Sequence, residues 1–358
     1  MEGIQLNSEK KVVDPVFDNL VEKVTKILQL EILQVMQANV NPKYFKLAKE
    51  TKSLAGHAVI KRIGQLPKEK KAAAEMMIKS TNVIEKPLHE FALNKGIDLK
   101  SVKIVDQQIS ISKEFDFVKN NFTPKYYQSF ADKFMGIRFN SSGGATTAKN
   151  LVFKVHQVKC LDETNPEWPG SDTIAMGGVA LDDKKVETRI NEIRVGSGFD
   201  DGDVKNYNPP KILKTFSFGS GGTFPKSYAV FLALAEKDGG GFADFLGELY
   251  DAIKDKLSVV FVAVGGAIGT AVGAAIGGAV GGPIGVLVGA AAGFILGALV
   301  EWLIGLFKDD MFVPQVAICE FGSANATFNG SLNSPLLNLH FQDHGGHYHV
   351  RYNWEIKN

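Results

Sequence analysis

Three patterns of apolar and polar positions follow one another along the 358 residues. Over residues 1–140 the apolar positions recur at helical spacing. Val16, Leu20, Val24, Ile27, Leu28 and Met36 line one face behind Asp14-Pro15, a capping residue followed by one suited to a first helical turn, and Asn39-Val40-Asn41-Pro42 ends the run. Further helices are predicted from about Tyr44 to Ile63, broken near Gly64 to Pro67, from Lys68 to about Lys95 with an interruption at Pro87, and from Thr123-Pro124 to Gly136; Val102 to Ser112 alternates as a strand.

After the loop Ser141-Ser142-Gly143-Gly144-Ala145-Thr146-Thr147 the period becomes two. Leu151–Cys160, Thr173–Leu181, Val186–Val195, Ile212–Phe218 and Ser227–Ala235 are predicted strands separated by Asp, Gly, Asn and Pro turns, and Val313–Phe321 and His347–Ile356 follow later.

Between these strand groups lies the third pattern. Leu257 to Val300 is 44 residues without a charged side chain, with glycine at every fourth position: Gly265, Gly269, Gly273, Gly277, Gly281, Gly285, Gly289, Gly293 and Gly297. Gly281-Gly282-Pro283 divides it into two helical arms, near 257–281 and 284–307. Each arm is about 36–38 Å long at ~1.5 Å per residue, enough to span a bilayer core with some tilt. The charges of Lys254, Asp255, Lys256, Glu301, Lys308, Asp309 and Asp310 all stay at the open end, and Trp302 stands where an interfacial aromatic belongs. Small residues at i, i+4 leave a groove for close helix approach, which favours self-association in lipid. The same pattern also suits a central element buried within protein. Exposing it would cost about 25 cal/mol per Å² of apolar surface, so the amino-terminal helices are expected to cover it.

The fold class read from these patterns is α+β. A mainly helical domain (1–140) precedes an antiparallel β-sandwich (149–250 plus 311–358) that is interrupted by the glycine-zipper hairpin (251–310), with Phe242–Ile253 as its amphipathic lead-in.

The Leu257–Phe307 hairpin resembles the central hydrophobic hairpin of colicin-type pore-forming domains and, more loosely, the glycine-zipper segments of other membrane-inserting toxins. The likeness covers about a seventh of the chain and is one of pattern; the strand-rich flanks depart from the all-helical colicin fold, and voltage gating is not carried over. The resemblance implies a pore-forming toxin or injected effector, soluble until a trigger frees the hairpin to enter a lipid bilayer and oligomerise. The alternative is a lipid-binding or structural protein with a C2-like sandwich, its hairpin permanently buried or anchoring.

Charge sharpens this division. Lys and Arg number 23 against 16 Asp and Glu in residues 1–140, a balance of +7, which leaves 17 against 23, or −6, for residues 141–358. The halves either dock on one another or present the basic half to anionic headgroups. No nucleic-acid motif accompanies the basic residues, so no nucleic-acid partner is expected. The amino terminus lacks the basic-then-apolar order of a secretory signal, which implies synthesis in the cytoplasm without a signal peptide and, if exported, a signal-independent route. Cys160 and Cys319 read as buried free thiols.

Two constellations carry candidate chemistry. Asp162, Asp172, Asp200, Asp201 and Asp203, with Glu163, Asp182 and Asp183, gather in turns and resemble the calcium-binding end of C2-like modules, although turn aspartates also serve simply as turn formers. His340, His344, His347 and His349 are four of the seven histidines within ten residues. His347 and His349 share a strand face and His344 precedes a Gly-Gly turn, so these imidazoles form a zinc site, a proton sensor or an exposed structural hairpin. No cofactor is required by either reading, calcium being the first ion to consider and zinc the second. Gly-x-Ser-x-Gly, His-Glu-x-x-His and Walker motifs are absent, and Gly219-Ser220-Gly221-Gly222 lacks the following helix with Lys-Ser/Thr, so an enzyme is not expected.

Overall fold

The computed structural model describes residues 4–7, 14–40, 54–79, 149–164, 172–183, 187–218, 226–236, 241–254, 283–307, 311–321, 325–343 and 345–357. Among these, nine strands form two antiparallel sheets. One takes β1 (Ile4–Asn7), β7 (Gln315–Phe321), β6 (Lys226–Glu236), β3 (Asp172–Leu181) and β4 (Glu187–Phe199) in that order; the other takes β5 (Val204–Phe218), β2 (Lys149–Asp162), β9 (Gly346–Lys357) and β8 (Leu337–Asp343).

The sequence of β6 explains the layering. It is apolar at nearly every position because both of its faces are covered. Ala229, Phe231, Ala233 and Ala235 face a layer of helices, whereas Tyr228, Val230, Leu232 and Leu234 enter a core shared with the four-stranded sheet. Phe216 of β5 meets Tyr228 of β6 at 5.2 Å between ring centroids, and Phe199 of β4 meets Tyr348 of β9 at 6.1 Å, so aromatic pairs join the two sheets at separate points. Cys160 and Cys319 are thiols, not joined in a disulfide, and both are buried in this core, as expected.

The helical layer consists of α1 (Pro15–Val40), α2 (Leu54–Gln65), α3 (Lys68–Lys79), α4 (residues 242–254) and α5 (Pro283–Phe307). Asp14 caps α1 as predicted: its Oδ1 accepts the backbone N–H groups of Val16 and Phe17, each at 3.0 Å. The buried stripe of α1, from Phe17 through Leu20, Val24 and Leu28 to Ile32, lies in the same core as α5 and the outer face of β6. Lys61 on α2 pairs with Glu248 on α4, tying the amino-terminal helices to the insertion.

β6 and β7 are hydrogen-bonded neighbours, with Leu232 opposite Gln315 and a further bridge from Ala235 to Met311. The helical insertion therefore leaves and returns at one end of two adjacent strands inside the sheet, not at a sheet edge.

This placement corrects the expected membrane function. Among the described residues no helix is long and apolar enough to cross a membrane. The second arm instead serves as the centre of the helical layer: Ala291, Ala292, Ile295, Leu296, Leu299, Val300, Leu303 and Ile304 are buried against protein. Phe294 meets Phe17 of α1 edge-on at 5.9 Å. Gly293 makes room for the sheet, since a Cβ there would lie 2.5 Å from Cε1 of Phe231. Trp302 packs half-buried on the same core. The amino-terminal helices cover this arm, as the cost of exposing it requires: α1 and α3 both pack on α5. Pro283, Gly285 and Gly289 belong to α5, whereas Gly265, Gly269, Gly273, Gly277, Gly281 and Gly282, with the first arm, lie outside the described residues. So do the predicted strand 102–112, the helix 123–136 and the outer parts of the second and third predicted helices.

Two strands were not expected. β1 comes from the amino-terminal segment and pairs with β7, Leu6 opposite Cys319. β8 pairs with β9 and completes the hairpin that carries the histidines.

Candidate metal centre

β8 and β9 alternate between the core and the outside over Leu339–Phe341 and Gly346–Tyr352. Leu339 and Phe341 of β8 and Tyr348, Val350 and Tyr352 of β9 are buried in the core between the sheets. Tyr348 is held from two directions, by Phe199 at 6.1 Å and Phe312 at 5.5 Å. A slip of one residue would expel Tyr348 and bury its neighbours, so its packing fixes the side of the sheet on which His347 and His349 stand. The register then sets His340 directly opposite His349 and Gln342 opposite His347.

The three imidazoles converge on that outer face. Nε2 of His347 and Nε2 of His349 are 3.2 Å apart, and ring centroids lie 4.0 Å apart for His340 and His349, 4.8 Å for His347 and His349 and 6.1 Å for His340 and His347. One ligand nitrogen from each lies within 4.8 Å of the others. Tetrahedral zinc with Zn–N bonds of about 2.0–2.1 Å needs its nitrogens about 3.3 Å apart. His347 and His349 already meet that spacing, and His340, the exposed member, lies within 4.8 Å of both.

The electrostatics favour the metal-binding form of the central residue. Desolvation pushes the His349 imidazole down to about 4, helped by the neighbouring His340 and His347 and then by Lys159 and Arg351. The ring is therefore neutral at ordinary pH, which is the state that donates a lone pair to a metal. Between His347 and His349 the 3.2 Å contact requires one nitrogen to donate and the other to accept, so the two rings cannot both be fully protonated there.

Other predicted ligands are placed differently. His344 lies outside the described residues. Asp162 ends β2, opposite His347, and Asp172 begins β3, opposite Phe199. Asp200, Asp201 and Asp203 form the turn between β4 and β5. There Asp203 Oδ2 accepts the Asp200 N–H at 3.1 Å, and Asp201 Oδ1 accepts the Glu163 N–H at 3.0 Å. These carboxylates close the turn and join it to the end of β2. Among the described residues, the set of His, Cys, Asp or Glu whose ligand atoms converge is His340, His347 and His349.

Lys159 and Arg351 were missed as part of this site. Lys159 is the direct partner of His349 across β2 and β9, and Arg351 follows His349 by two positions on the same face. The alternation of β9 announces Arg351, but Lys159 comes from a strand 190 residues earlier, and only the register brings it there. Comparison with family models, with curated proteins and with solved structures finds no match.

Proposed function

We propose that this protein binds a divalent transition metal of the zinc class through His340, His347 and His349. The observation that carries this reading is the convergence of three imidazole nitrogens within 4.8 Å on one face of a hairpin whose core side is locked by packing. Imidazole donors suit zinc, cobalt, nickel or copper and not calcium, which takes hard oxygen ligands. Three protein ligands leave a fourth tetrahedral position open. We read the two sheets as a β-sandwich that presents this centre on its outer face. A binding role is preferred over an enzymatic one, because no catalytic sequence motif accompanies the histidines.

The test is competition of the metal-free protein with a chromophoric chelator for zinc near neutral pH. One equivalent should bind, and His347→Ala with His349→Ala should abolish that binding while leaving the unfolding transition cooperative. Absence of saturable binding by the unaltered protein would overturn the proposal.

A further inference from the structure

We infer that the open position of the histidine centre takes a phosphate-class oxyanion, held jointly by the metal and by Lys159 and Arg351. This rests on the metal-binding reading and assigns its ligand. Lys159 stands opposite His349 on β2, where directly paired side chains begin about 4.5–5.5 Å apart. Arg351 stands on the same face of β9, opposite Gln157 on one side and Asn338 on the other, so its immediate cross-strand neighbours are uncharged. The two cations thus border His349 from the neighbouring strand and from its own.

Two cations beside a cation-binding centre need an explanation. Both add positive charge at His349, and neither is ion-paired with a carboxylate among the described residues, whereas Lys154 and Lys357, further along the same face, both pair with Glu355. The carboxylates nearest in register are Asp162, opposite His347, and Asp343, opposite Gly346, both toward the far end of the hairpin from Arg351. With three neutral imidazoles, a bound dication and these two side chains bring four positive charges, of which Asp162, opposite His347, offsets one. A monoanion would leave most of that charge uncompensated. A phosphate dianion matches it better, with a fork of guanidinium donors on one side and an ammonium on the other, while one oxygen fills the metal's fourth position.

Cobalt(II) provides the experiment, because its visible spectrum reports the fourth ligand. The full chain is loaded with cobalt and titrated first with inorganic phosphate and then, separately, with a phosphomonoester, to tell a free ion from an esterified one. The spectrum should change saturably with at least one of them. Lys159→Gln and Arg351→Gln should each still bind cobalt, at least as tightly as the unaltered protein because a like charge beside the metal is gone, but need about tenfold more anion for the same change, and Lys357→Gln should behave as unaltered. A cobalt spectrum indifferent to both anions, or equal anion dependence in all variants, would overturn this inference and leave the metal site standing. Failure of cobalt to bind at all would overturn the metal site and this inference with it.

Discussion

Replacing Gly293 and Gly297 by alanine, one at a time, tests what the glycine repeat is for. The two positions lie one repeat apart on α5, and as members of a general helix-assembly face they would respond alike. Packing makes them opposites. At Gly293 an added Cβ would sit 2.5 Å from Cε1 and 2.8 Å from Cζ of Phe231; at Gly297 it would meet nothing within 4 Å among the described residues. The Phe231 ring cannot easily yield, because it is only 4% exposed and lies 6.3 Å from the Tyr250 ring. Both substitutions gain the same helix propensity, about 0.8–1 kcal/mol. Gly297→Ala should therefore stabilise by roughly that amount. Gly293→Ala carries in addition an overpacking cost of about 1–3 kcal/mol. Since the propensity gain cancels between them, the variants should differ by about 1–3 kcal/mol, Gly293→Ala being the less stable. Urea unfolding followed by far-UV circular dichroism, with equal slopes for both variants, measures this difference directly. Equal stabilities, or a more stable Gly293→Ala, would refute the assignment of Gly293 as the point where α5 meets the sheet.

Other expectations follow from single contacts. Asp14→Ala removes the acceptor for two N–H groups at the start of α1 and should cost about 1 kcal/mol in the same unfolding assay; unchanged stability would mean that water replaces the cap. Lys226, whose side chain is 6% exposed, pairs with Asp183 at 3.2 Å, so Asp183→Asn should destabilise by up to about 3–5 kcal/mol, and adding Lys226→Met should recover part of that loss. In metal-free protein His349 titrates at about 4 in the folded state, below its ordinary 6.5, so between those values the unfolded chain binds the extra proton. Stability should be complete above about pH 6.5 and fall as the pH drops toward 4. His349→Asn should shrink this fall by about 1–2 kcal/mol, a figure reduced for the solvent access of the ring; an identical pH profile in the variant would contradict the shift.

Most strands after residue 149 were legible because stretches of alternating apolar residues mark them and Gly, Asn and Pro turns punctuate them. β6 was recognisable even though it barely alternates, since a short apolar run bounded by Lys226 and Glu236 has the length of a strand. β1 left no signal: four residues, Ile-Gln-Leu-Asn, become a strand only because β7 offers its edge. The hairpin was misread for a physical reason. A helix apolar on every side is what both lipid and a protein interior select, and the sequence does not say which medium removes it from water. What decides is the fit of Gly293 to Phe231 and of Phe294 to Phe17, both long-range contacts. The histidine cluster was visible in its spacing, His347 and His349 sharing a face as expected. The partnership with His340 needed the register of a strand not foreseen, and Lys159 needed that of β2.

The histidine centre also bears on the order in which the molecule assembles. All three ligands belong to one hairpin, so their meeting requires only local chain closure. The scaffold beneath them is not local: Lys159 and its partner His349 are 190 residues apart, and β9 sits between β2 and β8 in its sheet. During synthesis β2 must wait, one apolar face and one hydrogen-bonding edge unsatisfied, until β9 emerges. Pairings this distant are slow to form, and a waiting edge is open to aggregation. A metal ion captured by the hairpin as it leaves the ribosome would fix the β8–β9 register before docking, and so shorten the interval in which β2 stands unprotected. Metal supply during expression would then govern the yield of folded chain, even if the mature fold, once closed, hardly needs the ion.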